Sequence, residues 1–144
     1  MQPHRKPAVL IADDNLLMRG ALALILTEIG ARDIVLAADG NETVKLYRER
    51  SPDIVFLDIR MPGKDGLAAL KEIKTIDASA FVVMVSAYGS IENVKAAIKA
   101  GANGFVVKPY NMNRIVAMMN RYQEMHGRSQ SASVPNNAAR HPAV

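Results

Sequence analysis

Ile54–Gly66 reads IVFLDIRMPGKDG. Four apolar residues, Ile54 to Leu57, run straight into one carboxylate, Asp58. The run is too short for a buried helix and fits a strand covered on both faces. Met61-Pro62-Gly63 and Asp65-Gly66 then break the pattern, because proline and glycine end a strand and build a loop. Asp58 is therefore expected at the carboxyl end of a central strand, the edge on which open α/β sheets place their chemistry. A lone Asp at such a position would be read as a solvated side chain. Two more acidic residues at the end of another strand change that reading.

Working outward, Ala8–Asp13 (AVLIAD) is a second apolar run ending in acid, followed at once by Asp14. Asn15 can cap a helix over Leu16–Ile29, which Gly30 stops. Ile34–Ala38 reads as a strand. Asp39 with Glu42 resembles a capping box opening a helix over Asn41–Arg50, which ends before Ser51-Pro52. A third helix starts at Asp65 or Gly66, with Leu67, Leu70 and Ile73 inward. Phe81–Ser86 (FVVMVS) is the fourth strand. Ser90 can cap Ile91–Ala100, where Ile91, Val94 and Ile98 form a narrow apolar stripe. Gly104–Val107 is the fifth strand and runs into Lys108-Pro109. Asn111 can cap a last helix with Ile115, Met118, Met119 and Tyr122 inward. Five strands alternating with five helices give a parallel sheet with helices on both faces, an α/β doubly wound fold.

The chain of 144 residues suits one domain. Residues 1–7 read as an N-terminal arm and 8–126 as the domain. Residues 127–144, rich in Ser, Ala, Asn, Pro and Arg without periodicity, read as an unstructured tail or linker. With no Cys there is no disulfide, thiolate metal site or thiol nucleophile. No apolar run approaches the ~18 residues of a membrane span, and the start lacks the apolar core of a signal peptide. A soluble cytoplasmic protein is expected. The net charge of +4 belongs to the ends, since Arg5, Lys6, Arg128 and Arg140 leave 14 basic against 14 acidic residues in 7–126. A basic groove for nucleic acid is therefore not indicated.

Four strands end in groups suited to phosphate chemistry: Asp13 with Asp14, Asp58, Ser86 and Lys108. A parallel sheet brings these ends to one edge. Three crowded carboxylates repel one another, and a hard divalent cation such as Mg²⁺ resolves the cost while sharing phosphate oxygens. Asp58 could then attack phosphorus as a carboxylate nucleophile. Lys108 would neutralise phosphoryl charge, and Ser86 would donate a hydrogen bond to it. Each residue alone has a plainer reading as turn former, solvated charge or helix cap. Their recurrence at successive strand ends carries the weight.

In this combination the sequence resembles the receiver domain of two-component response regulators, over roughly Ala8 to Met125. The resemblance rests on Asp13-Asp14, Leu57-Asp58-Ile59-Arg60-Met61-Pro62-Gly63 with Asp65-Gly66, Ser86-Ala87, and Lys108-Pro109. It implies a five-stranded flavodoxin-like sheet in the order 2-1-3-4-5. It implies that Asp58 is the phospho-acceptor, with catalytic support from Ser86 and Lys108. It implies Mg²⁺ held by Asp14, Asp58 and the Arg60 carbonyl, with Asp13 acting through water. Ser86 and Phe105 match the switch pair, and Lys108–Pro109 matches a peptide bond that is typically cis. The implied donor is a sensor histidine kinase or phosphotransfer protein. The face formed by Ile91–Ala100, Gly104–Val107 and Asn111–Met125 would serve a downstream effector or a homodimer. Such a chain is a signalling receiver, not an enzyme acting on a separate substrate.

Two positions depart from familiar members. Arg60 and Tyr88 are both bulky and are expected to flank the phosphoryl group, where they tune its access to water. Phe105 lacks the hydroxyl that a Tyr would bring. A dehalogenase-type phosphatase would want a second carboxylate two residues after its nucleophile, where Arg60 or Asn15 stands. A dinucleotide site would need a Gly-rich turn where Asp-Asp-Asn stands. The remaining alternatives are a degenerate receiver acting as a phosphorylation-independent adaptor and, more remotely, a nucleic-acid-binding module.

Overall fold

A computed structural model of the chain describes residues 6–132, with side chains to His126. The elements alternate: β1 (Ala8–Ala12), α1 (Leu16–Glu28), β2 (Arg32–Ala37), α2 (Gly40–Arg50), β3 (Ile54–Asp58), α3 (Gly66–Ile76), β4 (Phe81–Ser86), α4 (Ile91–Lys99), β5 (Gly104–Val107) and α5 (Met112–Ala132). The sheet is parallel throughout, in the order β2-β1-β3-β4-β5. Every residue of β3 and β4 is buried, which is why those segments are unbroken apolar runs. The edge strands β2 and β5 are only partly covered.

Two apolar clusters lie on opposite sides of the sheet. One gathers Leu10, Val55, Leu57 and Met84 with Val44, Tyr47, Leu70 and Ile73 of α2 and α3. The other gathers Val9, Ile11, Phe56 and Val83 with Leu22, Leu26, Ile115 and Met118 of α1 and α5. Helix starts follow the expected caps. Asn15, Asp39, Asp65 and Ser90 each accept an N–H from the first turn of the following helix. At α2 the box is completed one residue early, since Glu42 accepts the N–H of Ala38.

Strand and helix ends differ from expectation by a residue or two where caps and first turns share hydrogen bonds. β1 stops at Ala12, leaving Asp13 in the loop, and β2 starts at Arg32. Two differences are larger. α4 buries Ala97, while Ile91 and Ile98 are exposed, so its apolar stripe faces outward. α5 continues through Gly127 to Ala132, into the stretch read as an unstructured tail. A helix already nucleated by the packed Ile115–Tyr122 face extends at little cost through weak formers. Lys6 and Pro7 of the expected arm are tied to Arg32, through its Nε and backbone N–H. The rest of the arm and of the tail lie outside the described residues.

Candidate functional site

Strand register assembles the site. Ala12 pairs with Leu57, Asp58 with Val85, and Ser86 with Val107. The residues that follow or end these strands, Asp13, Asp58, Ser86 and Lys108, therefore meet at one edge. Backbone hydrogen bonds pin that edge: Asp13 N to Ala37 O, Ile59 N to Val85 O, and Lys108 N to Ser86 O at 2.8 Å. The loop after β3 turns back tightly, with Gly66 N donating to Ile59 O at 2.7 Å. A Cβ on Gly66 would fall on the Asp58 carbonyl oxygen, and one on Gly40 would fall on the Lys64 backbone. Glycine is required at both positions by this close approach.

Asp13, Asp58 and Ser86 are buried, whereas Asp14 is exposed at the rim. Lys108 Nζ lies 2.7 Å from Asp13 Oδ2 and 3.0 Å from Asp58 Oδ2. Asp13 Oδ1 also accepts the N–H of Asn15 at 2.9 Å. Burial pushes the Asp58 carboxyl up from its ordinary value; the Asp13 charge adds to this, and Lys108 opposes it. Burial would pull Lys108 down, but its hydrogen bonds to Asp13 and Asp58 outweigh that and raise it. The Ser86 hydroxyl accepts the N–H of Tyr88 at 2.9 Å and keeps its own proton to donate. The Lys108–Pro109 peptide bond is cis. Phe105 is partly buried against the core beside its strand partner Met84.

The donor set suits a hard cation. Asp13, Asp14 and Asp58 each bring a carboxylate oxygen to within 4.8 Å of the others. Asp13 Oδ2 is buried, with the Lys108 ammonium as its ion-pair partner. All-oxygen ligands of this charge favour Mg²⁺ over softer metals. A shallow cleft of about 500 Å³, lined by Asp14, Ile59, Arg60, Met61, Pro62 and Asp65, opens beside them.

Arg60 and Tyr88 are stacked on each other, with the guanidinium carbon 4.6 Å from the ring centroid. Sequence reading placed both near the site but had no signal for the pairing. It also missed Tyr110, whose only hint was its place two residues after Lys108. Burial raises the Tyr110 hydroxyl, and the facing Asp13 and Asp58 charges add to the shift.

A family model for the response regulator receiver domain matches residues 9–120. Chemotaxis protein CheY of Bacillus subtilis (strain 168) is 44% identical over 113 residues, covering 78% of this chain and 94% of that protein. CheY of Thermotoga maritima is likewise 44% identical over 113 residues, with the same coverage. Among solved structures, the CheX-CheY-BeF3-Mg+2 complex from Borrelia burgdorferi matches with a TM-score of 0.76 and 36% identity, covering 83% of this chain and 88% of that one.

Proposed function

The chain belongs to the response regulator receiver family, and from that premise we propose that Asp58 accepts a phosphoryl group from a phosphohistidine of a sensor kinase or phosphotransfer protein. Receiver domains are signalling proteins that work with such donors and with effectors. The observation that carries the assignment is the shared ammonium: Lys108 bridges buried Asp58 and buried Asp13 at the strand edge. A carboxylate oxygen of Asp58 attacks phosphorus, the phosphorus–nitrogen bond breaks, and the imidazole leaves. An aspartyl phosphate remains. Lys108 follows the charge onto a phosphoryl oxygen, and Ser86 donates its hydroxyl proton to another.

Asp14, Asp58 and the Arg60 carbonyl would hold Mg²⁺, with Asp13 behind a water, and the bound ion supplies positive charge to the phosphoryl oxygens. Arg60 lines the cleft, and with Tyr88 stacked on it it limits how freely water reaches the phosphoryl group. Leu16 and Leu17 are exposed at the start of α1, next in the chain to Asp13 and Asp14, and offer apolar surface to the donor. Ile91, Ile98, Val107 and Met112 are exposed on the α4-β5-α5 face and offer similar surface to an effector or a second copy. We place the protein in the cytoplasm; no described helix is long and apolar enough to cross a membrane.

Labelling with a small phosphodonor tests the reading. Mg²⁺-dependent, acid-stable and base-labile label is expected on the parent chain and none on Asp58→Asn. Undiminished label on that variant would overturn the assignment.

A further inference from the structure

Tyr88 is held at three points. Its N–H donates to Ser86 Oγ at 2.9 Å. Its carbonyl accepts from Asn93 Nδ2 at 2.8 Å. Its ring lies under the Arg60 guanidinium. Asn93 stands in the first turn of α4, where its own N–H is capped by Ser90 Oγ. α4 buries only Ala97, so little core packing holds it in place.

We propose that the signal leaves the acceptor site along Ser86, Tyr88 and Asn93 into the first turn of α4, and that the Arg60–Tyr88 stack is the brake on that route. The inference rests on Asp58 being the acceptor, and it names a path separate from Ser86 to Phe105.

The chemistry of each link sets the order of events. A phosphoryl group brings a charge of about −2 to Asp58. The backbone N–H of Arg60 already lies 3.4 Å from Asp58 Oδ1, so its side chain starts close to the new charge. A guanidinium over an exposed ring is held weakly, whereas charge-assisted bonds to phosphoryl oxygens are stronger. The phosphoryl group therefore draws Arg60 off the ring. Ser86 turns its hydroxyl to the same group and takes with it the acceptor of the Tyr88 N–H. Ring and peptide of Tyr88 are released together. The Asn93 side chain, bonded to that peptide, carries the movement into α4. Phe105 has no polar group with which to do the same.

Amide hydrogen exchange across Ile91–Lys99 of the whole chain, with and without beryllofluoride and Mg²⁺, tests the route. The parent is expected to change its α4 exchange when the probe binds. Asn93→Ala should still saturate with beryllofluoride but lose most of that change. Tyr88→Leu, which keeps bulk without a π face, should shift the resting exchange toward the bound level, about two- to fivefold in population. Tyr88→Phe keeps the ring face and should behave as the parent. A full α4 response in Asn93→Ala, or equal resting exchange in Tyr88→Leu and Tyr88→Phe, would overturn the relay and leave the acceptor assignment standing. Failure of beryllofluoride to bind the parent would overturn both.

Discussion

Lys108 stands closer to Asp13 than to Asp58, with its ammonium 2.7 Å from Asp13 Oδ2 and 3.0 Å from Asp58 Oδ2. One cation thus serves two buried carboxylates. Removing it leaves both uncompensated. Lys108→Met is expected to cost about 3 kcal/mol, the usual penalty for breaking one side of a buried ion pair. Denaturant unfolding at neutral pH checks this.

Removing Asp58 has the opposite sign. Burial raises its carboxyl, so the folded state holds that proton more tightly than the unfolded chain does. Stability is lost as pH rises from the ordinary carboxylate range through the shifted value. Lys108 keeps Asp13 as a partner in Asp58→Asn. That variant should be more stable than the parent by about 1 kcal/mol at pH 7 in the absence of metal, and no more stable below the ordinary carboxylate range. Unfolding curves at both pH values decide it.

Metal affinity should depend on the one exposed carboxylate of the group. Mg²⁺ at a hundredfold excess over its dissociation constant should stabilise the parent by about 2.7 kcal/mol. Asp14→Ala should lose most of that gain. Thermal unfolding with and without Mg²⁺ measures it.

Two glycines should respond unequally to one added methyl. At Gly66 the Cβ meets the Asp58 backbone, which cannot yield. At Gly104 it meets the Met118 sulfur, the end of a flexible side chain. Gly66→Ala is expected to cost about 3 kcal/mol and Gly104→Ala about 1 kcal/mol. Denaturant titration of both variants checks the ratio.

The Tyr47 hydroxyl donates to Asp77 Oδ2 at 3.2 Å. Burial, then the Asp77 charge, pushes it from 10 up to about 12. The folded chain keeps a proton that the unfolded chain releases. The resulting stability is present below pH 10 and is lost as pH approaches 12, amounting to about 2 kcal/mol. Tyr47→Phe should lack that portion of the alkaline decline.

Sequence pattern carried far where burial dictates residue type. β3, β4 and β5 fall where the apolar runs Ile54–Asp58, Phe81–Ser86 and Gly104–Val107 place them. Parallel pairing then brings Asp13, Asp58, Ser86 and Lys108 together without further information. α4 shows where pattern fails. Val94 belongs to two helical stripes, one with Ile91 and Ile98 and one with Ala97, and the structure turns the smaller residue inward. Hydrophobicity points to the larger residues; close packing of α4 against the sheet admits the smaller one. The Arg60–Tyr88 stack joins two loops that no periodicity relates. Asn103 is similar: its side chain accepts from Val82 N and Lys74 Nζ, stitching the α4–β5 loop to β4 and α3.

The backbone contacts at Gly66 and Gly40 give the domain a mechanical direction. Between β3, α2 and α3 the chain touches itself with no room for a methyl group, so a load at Asp58 finds no compliance there. Across the sheet edge, α4 buries a single side chain, Ala97. A phosphoryl group on Asp58, as proposed above, would push against a rigid wall and deform the yielding one. On that proposal, unequal stiffness rather than the identity of the donor sets which way the domain bends.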